Sequence, residues 1–79
     1  MSLTYYRYTC RVGEFRLVPD RNGRWNAMFD DEGLGSYATV HQALEDLVGG
    51  HTYWPSCGDP SELGLPDDLS GWEAIAVRR

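Results

Sequence analysis

The chain has 79 residues, which is enough for one domain and too few for two. Apolar residues make up 42% of it and charged residues 24%, ordinary globular proportions that exclude wholesale disorder. All seven basic residues are Arg, twelve acidic residues bring the formal net charge to −5, and two cysteines are too few for a disulfide-dense scaffold. We therefore expect a single acidic domain spanning residues 1–79.

The charge is divided unevenly along the chain. Residues 1–29 carry five Arg against two acids, whereas residues 30–77 carry ten acids and no Lys or Arg. Such a division usually produces a solvated surface whose two halves partly neutralise each other on folding. It also allows an acidic face, which would repel nucleic acid and attract basic protein surfaces.

The first half of the chain predicts a small antiparallel sheet. The predicted strands are Leu3–Arg11, Glu14–Val18, Arg24–Asp30 and Leu34–Ala38, the last as a full strand or as the bent return of a hairpin. The turns between them are predicted at Gly13, Pro19–Gly23 and Asp31–Gly33. In the third strand, alternation places Trp25, Ala27 and Phe29 on the buried face.

One amphipathic helix follows the predicted strands. Thr39 and Gln42 have the spacing of a capping box, in which each side chain bonds the backbone of the other. The apolar stripe comprises Val40, Ala43, Leu44, Leu47 and Val48. Because Gly49-Gly50 supplies a left-handed C-cap, the pattern predicts a helix of about three turns resting on the sheet.

The remainder of the chain has weaker signals. They predict an ordered loop over His51–Asp59, single helical turns at Asp59–Glu62 and Leu65–Leu69, and a candidate closing strand over Trp72–Arg78. The expected fold class is therefore α+β. It consists of an antiparallel sheet of three to four strands packed on one α-helix, with an irregular C-terminal tail and a candidate last strand.

The beginning of the chain lacks the apolar core of a secretory signal. No apolar run approaches the length of about 20 residues that spans a bilayer. We therefore expect a cytoplasmic protein without a membrane partner. Its two cysteines, Cys10 and Cys57, are then expected to be reduced thiols.

Neither catalysis nor metal binding is predicted. The candidate ligands Cys10, His41, His51 and Cys57 include no pair at the close spacing of zinc ligands. A nucleophile–base pair of Cys57 with His51 would need a substrate cleft for which so small a domain has little room. The adjacent carboxylates of Asp67 and Asp68 would point apart. We expect no enzyme activity and no cofactor.

A set of basic and aromatic residues on the N-terminal strands could bind nucleic acid. Its members are Tyr5, Arg7, Arg11, Arg16 and Arg24. Arg side chains contact phosphates and an exposed Tyr stacks on bases, so one sheet face carrying both is a plausible surface. The same residues could equally cover the wet side of a half-exposed sheet, and the acidic remainder of the chain disfavours tight binding.

A second candidate surface lies just after the helix. Tyr53 and Trp54 precede Pro55, and exposed aromatic side chains ringed by polar residues mark protein-binding sites. In a chain with so small a core, however, we expect Trp54 to fold back and close the end of the space between sheet and helix.

The stretch GRWNAMFDDEGLGSYATVHQALEDL, residues 23–47, resembles a recurring bacterial and phage pattern of a G-x-W strand, an acidic turn, a second strand and a Thr-capped helix. It is similar to the N-terminal domain of tyrosine integrases, which implies a three-stranded sheet with a helix and DNA binding through the sheet. The longer segment 23–69, with its GGHT and LPDDLS motifs, also resembles small uncharacterised bacterial proteins. By size and charge, the chain resembles anti-CRISPR and DNA-mimic inhibitors.

The leading hypothesis is a non-enzymatic interaction module that binds a basic protein surface or a nucleoprotein complex. Its concrete form is a phage- or mobile-element-encoded inhibitor of a nucleic-acid-handling complex. The residues predicted to carry this function are Asp30, Asp31, Glu32, Glu45, Asp46, Tyr53 and Trp54. The alternative is nucleic-acid binding through the Arg-bearing sheet face. No oligomeric state is predicted.

Overall fold

Five antiparallel strands and one helix make up the fold in a computed structural model, which describes residues 2–78. The strands are β1 (Ser2–Cys10), β2 (Gly13–Pro19), β3 (Trp25–Phe29), β4 (Glu32–Tyr37) and β5 (Glu73–Arg78), and the helix α1 spans Val40–Gly49. The strands form one sheet in the order β4-β3-β2-β1-β5. The α+β class is as predicted.

The predicted strand count of three to four is too low. The last segment of the chain returns to the sheet and pairs with β1, with Tyr5 opposite Ile75 and Leu3 opposite Val77. The tail between α1 and β5 is irregular, as expected. Local composition predicted a candidate strand over Trp72–Arg78, and the structure has it at Glu73–Arg78. Its place beside the first strand depends on a contact across the whole chain.

The turn between β3 and β4 also differs from the prediction. It consists of Asp30 and Asp31, since Phe29 pairs directly with Glu32, and Asp30 adopts a left-handed φ of 49°. The predicted turn at Asp31–Gly33 is therefore displaced by one residue. The sequence pattern missed a β-bulge, because Ala27 pairs with Gly35 and Met28 with Gly33, which leaves Leu34 as the extra residue.

The core lies between α1 and one face of the sheet. Its buried apolar side chains are Phe15, Leu17, Ala27, Phe29, Leu34, Ala43, Leu44, Leu47, Leu65 and Trp72. The predicted caps of α1 at Thr39 and Gly50 are confirmed, whereas within residues 2–78 no hydrogen bond returns from the Gln42 side chain to the Thr39 backbone. Thr39 Oγ1 accepts a hydrogen bond from the Gln42 backbone N–H at 3.2 Å, and Gly50 forms the left-handed C-cap with φ of 76°.

The irregular tail completes the core where α1 does not reach. Trp72 is buried, its ring centroid lies 5.8 Å from that of Tyr8 in β1, and its indole N–H donates to the Pro66 carbonyl at 2.9 Å. The 3₁₀ turn at Pro60–Glu62 is as predicted, with Asp59 as N-cap. The second turn lies at Leu69–Gly71 rather than within Leu65–Leu69, because Asp68 caps it.

Replacing Leu47 by Ala should lower the free energy of unfolding by about 2–5 kcal/mol, because removal of a fully buried side chain leaves a cavity. The matched control is Leu3→Ala, which removes the same atoms from a side chain that is 40% exposed. Urea denaturation followed by circular dichroism would measure both variants. Equal losses in the two would contradict this assignment of the core.

Candidate protein-binding site

The loop that follows α1 is bonded to both the helix and the sheet. The Tyr53 backbone N–H donates to the carbonyl of Leu34, the bulged residue of β4, at 3.0 Å. The Trp54 indole N–H donates to the carbonyl of Gly50, the C-cap of the helix, at 3.0 Å. These two bonds hold the middle of the loop in one position against β4 and the end of α1.

A carboxylate at the start of β4 holds the next turn of the loop. The Ser56 backbone N–H donates to Glu32 Oε1 at 2.9 Å, and the Ser56 hydroxyl donates to Glu32 Oε2 at 2.6 Å. Charge-assisted bonds of this kind are shorter and stronger than neutral ones. Pro55, between the two anchored residues Trp54 and Ser56, is buried.

The anchored loop presents two aromatic side chains to solvent. Tyr53 is 80% exposed and Trp54 is 60% exposed. The expectation that Trp54 folds back into the core is therefore wrong. Pro55 is the loop residue that is buried, Trp72 supplies the buried indole, and the bond to Gly50 holds the Trp54 ring outside.

A shallow recess of about 230 Å³ lies between the side chains of this loop and those of β4. Residues 34–37 line one side and residues 51–53 the other. Burial is the main reason why the pKa of Tyr37 is raised to about 12. A hydrogen bond to the Asp46 carboxylate and the negative charge of that group raise it further. Asp46, on α1, therefore lies beside the recess, together with the exposed ring of Tyr53.

The fold does not bring the five predicted acidic residues into one cluster. Asp30, Asp31 and Glu32 lie at the β3–β4 hairpin, Asp46 lies beside Tyr37, and Glu45 lies with Asp67 in a separate groove of about 310 Å³ along α1. Glu45 and Asp46 are neighbours in sequence, but consecutive helical positions face different directions. The sequence therefore did not reveal that these two carboxylates belong to different surfaces.

Protein groups already occupy part of this acidic set. Asp30 Oδ1 accepts a hydrogen bond from the Glu14 backbone N–H at 3.1 Å, and both Glu32 oxygens bind Ser56. Asp31 and Glu45 are exposed, and within residues 2–78 neither carboxylate accepts a hydrogen bond. Of the five predicted acidic residues, these two have the carboxylates most accessible to a partner.

Nearby protein groups bind most of the Arg side chains of the proposed nucleic-acid face. Arg7 Nε lies 2.8 Å from Glu73 Oε1, and this bond raises the pKa of the Arg7 guanidinium further. Arg16 lies 3.7 Å from Glu14 and also donates to the Asp30 carbonyl.

The remaining members of that set are Arg24, Tyr5 and Arg11. Arg24 donates to Ser36 Oγ at 2.9 Å and to the Ser36 carbonyl at 3.1 Å. Tyr5 is half-buried on β1, beside an apolar recess rather than a basic one. Arg11 is exposed in the β1–β2 turn. The five residues therefore do not form a continuous surface of unpaired cations.

The cysteines, Cys10 and Cys57, are free thiols. Desolvation raises the pKa of the Cys57 thiol and so favours its protonated form. The negative charges of the nearby Cys10, Glu32 and Asp30 act in the same direction. Asp68 accepts from the Ser70 backbone N–H at 2.6 Å, whereas Asp67 lines the groove with Glu45. Across residues 2–78, no three His, Cys, Asp or Glu side chains are grouped so that they could hold a metal ion.

Comparison of the chain with protein-family models, with curated proteins and with solved structures gave no match. The resemblances to integrase domains and to small inhibitors stay predictions. No helix within residues 2–78 is long and apolar enough to cross a membrane.

Replacing Glu32 by Gln should loosen the aromatic loop, because an amide has only one oxygen to accept the two bonds from Ser56. We expect hydrogen exchange at the Ser56 backbone amide to become several-fold faster. The control is Glu45→Gln, the same change at an exposed helix position. Unchanged exchange in the Glu32 variant would show that the loop does not depend on this carboxylate.

Replacing Asp46 by Asn should lower the pKa of Tyr37 from about 12, but not fully to the ordinary 10.0, because burial persists. A difference titration of phenolate absorbance against Tyr37→Phe isolates this group. Since the folded protein holds the Tyr37 proton more tightly, the linked stability is present below the ordinary pKa and is lost as the pH rises toward 12. An identical titration in the Asn variant would contradict the role of Asp46.

Proposed function

We propose that this protein is a non-enzymatic interaction module that binds a basic protein surface through its aromatic loop. The observation that carries the proposal is the exposure of Tyr53 and Trp54 on a loop that is bonded to β4 through the Tyr53 backbone N–H and to the C-cap of α1 through the Trp54 indole N–H. A preorganised loop loses little conformational freedom on binding, and large aromatic side chains provide most of the contact energy in many interfaces.

The charge around the loop supports a basic partner. Glu32 lies under the loop, Asp31 is exposed in the adjoining hairpin turn, and Asp46 lies beside the recess below Tyr53. No Lys or Arg occurs between residues 30 and 77. Negative potential of this kind steers a basic surface toward the aromatic pair and raises the association rate.

A phage- or mobile-element-encoded inhibitor of a nucleic-acid-handling complex, acting in the cytoplasm, is the concrete form of this proposal. Such complexes present basic grooves, which an acidic protein with an apolar anchor would fit. Support for this narrower form comes from the size of the chain, its charge of −5 and its resemblances alone.

Nucleic-acid binding is the weaker candidate. Phosphate contacts need available cations, whereas Arg7 and Arg16 each have an acidic neighbour and Arg24 is bonded to Ser36. Arg11 remains the most accessible cation of the predicted set. One such residue provides little of the phosphate neutralisation on which affinity depends.

The proposal is tested by capture from host lysate with the immobilised wild type and the Tyr53→Ala/Trp54→Ala variant. A basic partner should bind the wild type and elute as salt is raised. Loss of a pair of anchor side chains should weaken binding at least tenfold, since such residues contribute about 2 kcal/mol or more. The control is Val12→Ala, a 38% exposed apolar residue in the β1–β2 turn.

Two results would contradict the proposal. The first is an identical set of captured proteins for the wild type and the double variant. The second is a gel shift of DNA by the wild type at low salt, with no protein partner present, that disappears in Arg11→Ala. That second result would favour the nucleic-acid alternative.

A further inference from the structure

The two edges of the sheet differ in how they are covered. The β4 edge carries a bulge at Leu34, and the aromatic loop bonds to it through the Tyr53 N–H. The β5 edge, at Glu73–Arg78, has no such cover. Within residues 2–78, no backbone hydrogen bond outside the sheet ladder involves β5, and Ala74, Ala76 and Val77 are exposed.

The β5 edge also lacks the residues that normally prevent strands from pairing. Natural edge strands carry Lys, Pro, bulges or inward-pointing charges that prevent edge-to-edge association. The sequence of β5 is EAIAVR, whose four central residues are uncharged. The carboxylate of Glu73, at one end of the strand, already binds Arg7 of β1. The free N–H and C=O groups along this strand are therefore available to another strand.

We propose that β5 is a self-association strand, through which two copies of this chain pair antiparallel about a two-fold axis. The two five-stranded sheets would then continue into one sheet. This inference does not depend on the proposed function, because the aromatic loop lies at the opposite edge of the sheet.

The sequence of β5 is complementary to itself in one such register. Residues directly opposite each other in antiparallel strands lie on the same face of the sheet. Because alternate residues of a strand share a face, a two-fold axis must pair odd-numbered residues with odd-numbered ones and even-numbered residues with even-numbered ones. With Ala76 on the axis, Ile75 of each copy lies opposite Val77 of the other. Both residues belong to the face away from α1, and the two Ala76 side chains meet on the other face with little bulk.

Apolar surface continues inward from this pair. Leu3, Tyr5, Val18, Pro19 and Val77 line a recess of about 220 Å³ on β1, β2 and β5. Leu3 is 40% and Val77 37% exposed in the single chain. Pairing through β5 would cover the Val77 side of this recess with Ile75 of the second copy, which removes apolar surface from water.

The exposed carboxylate beside the aromatic loop and that of Glu73 do not oppose this arrangement. Asp31, in the turn between β3 and β4, lies at the opposite side of the sheet, because β5 is four strands away from β4. At about 4.8 Å per strand that distance is about 19 Å, more than twice the Debye length of about 8 Å at physiological salt. At β5 itself, Glu73 is neutralised by Arg7.

Sedimentation equilibrium of the wild type and Ala76→Lys tests the proposal. Strand addition alone buries less than a standard interface, so a weak dimer is expected. The mass of the wild type should rise from 8.9 kDa toward twice that value between low micromolar and millimolar concentration. Ala76→Lys should remain monomeric, because two Lys would meet at the axis. Val12→Lys, the same charge in the β1–β2 turn, should dimerise like the wild type.

A mixing experiment with two oppositely charged variants tests the register of the proposed dimer. Equal amounts of Ala76→Lys and Ala76→Glu should recover the dimer mass, although neither variant dimerises alone, because opposite charges then meet at the axis. Near-ultraviolet circular dichroism would establish that both variants are folded. A wild type that stays monomeric at millimolar concentration, or a mixture that stays monomeric, would overturn the proposal.

Discussion

One short helix has to cover a sheet of five strands. A helix of ten residues is about 15 Å long and about 10 Å wide, whereas five strands at about 4.8 Å spacing extend about 19 Å across. α1 therefore packs on β2, β3 and β4, and the tail before β5 supplies Leu65 and Trp72 to continue the core toward β1. On β5 itself, small residues remain exposed. The covered and uncovered parts of the sheet both follow from this mismatch.

The mismatch between α1 and the sheet also decides which aromatic residues are buried and which are exposed. Trp72 packs on Tyr8 and donates to Pro66, so the tail needs no second indole in the core. Trp54 is bonded at its N–H and otherwise faces solvent. The two residues are chemically identical and both lie in irregular segments. Their different environments depend on which tail segment lies over β1, and that is a contact between distant parts of the chain.

Local patterns in the sequence predicted what short-range interactions determine. The cap at Thr39, the apolar stripe of α1 and the alternation of Trp25, Ala27 and Phe29 are all confirmed, because each depends on neighbours within one element. The pairing of β5, the bulge at Leu34 and the exposure of Trp54 were missed or wrong, because each depends on long-range pairing or packing. The candidate acidic residues were grouped by sequence proximity, whereas Glu45 lines the groove along α1 and Asp46 lies beside Tyr37.

The anchoring of the aromatic loop affects how the binding surface of the protein can evolve. Its anchors are the Tyr53 backbone N–H, the Trp54 indole N–H, the buried Pro55 and the bonds between Ser56 and the Glu32 carboxylate, whereas the side chain of Tyr53 contributes little to the packed interior. Exposed substitutions outside such anchors usually change folding stability by less than about 0.5 kcal/mol. Mutation at Tyr53 can therefore vary the chemistry of this surface while the scaffold is retained, so that partner choice and stability evolve separately at this position.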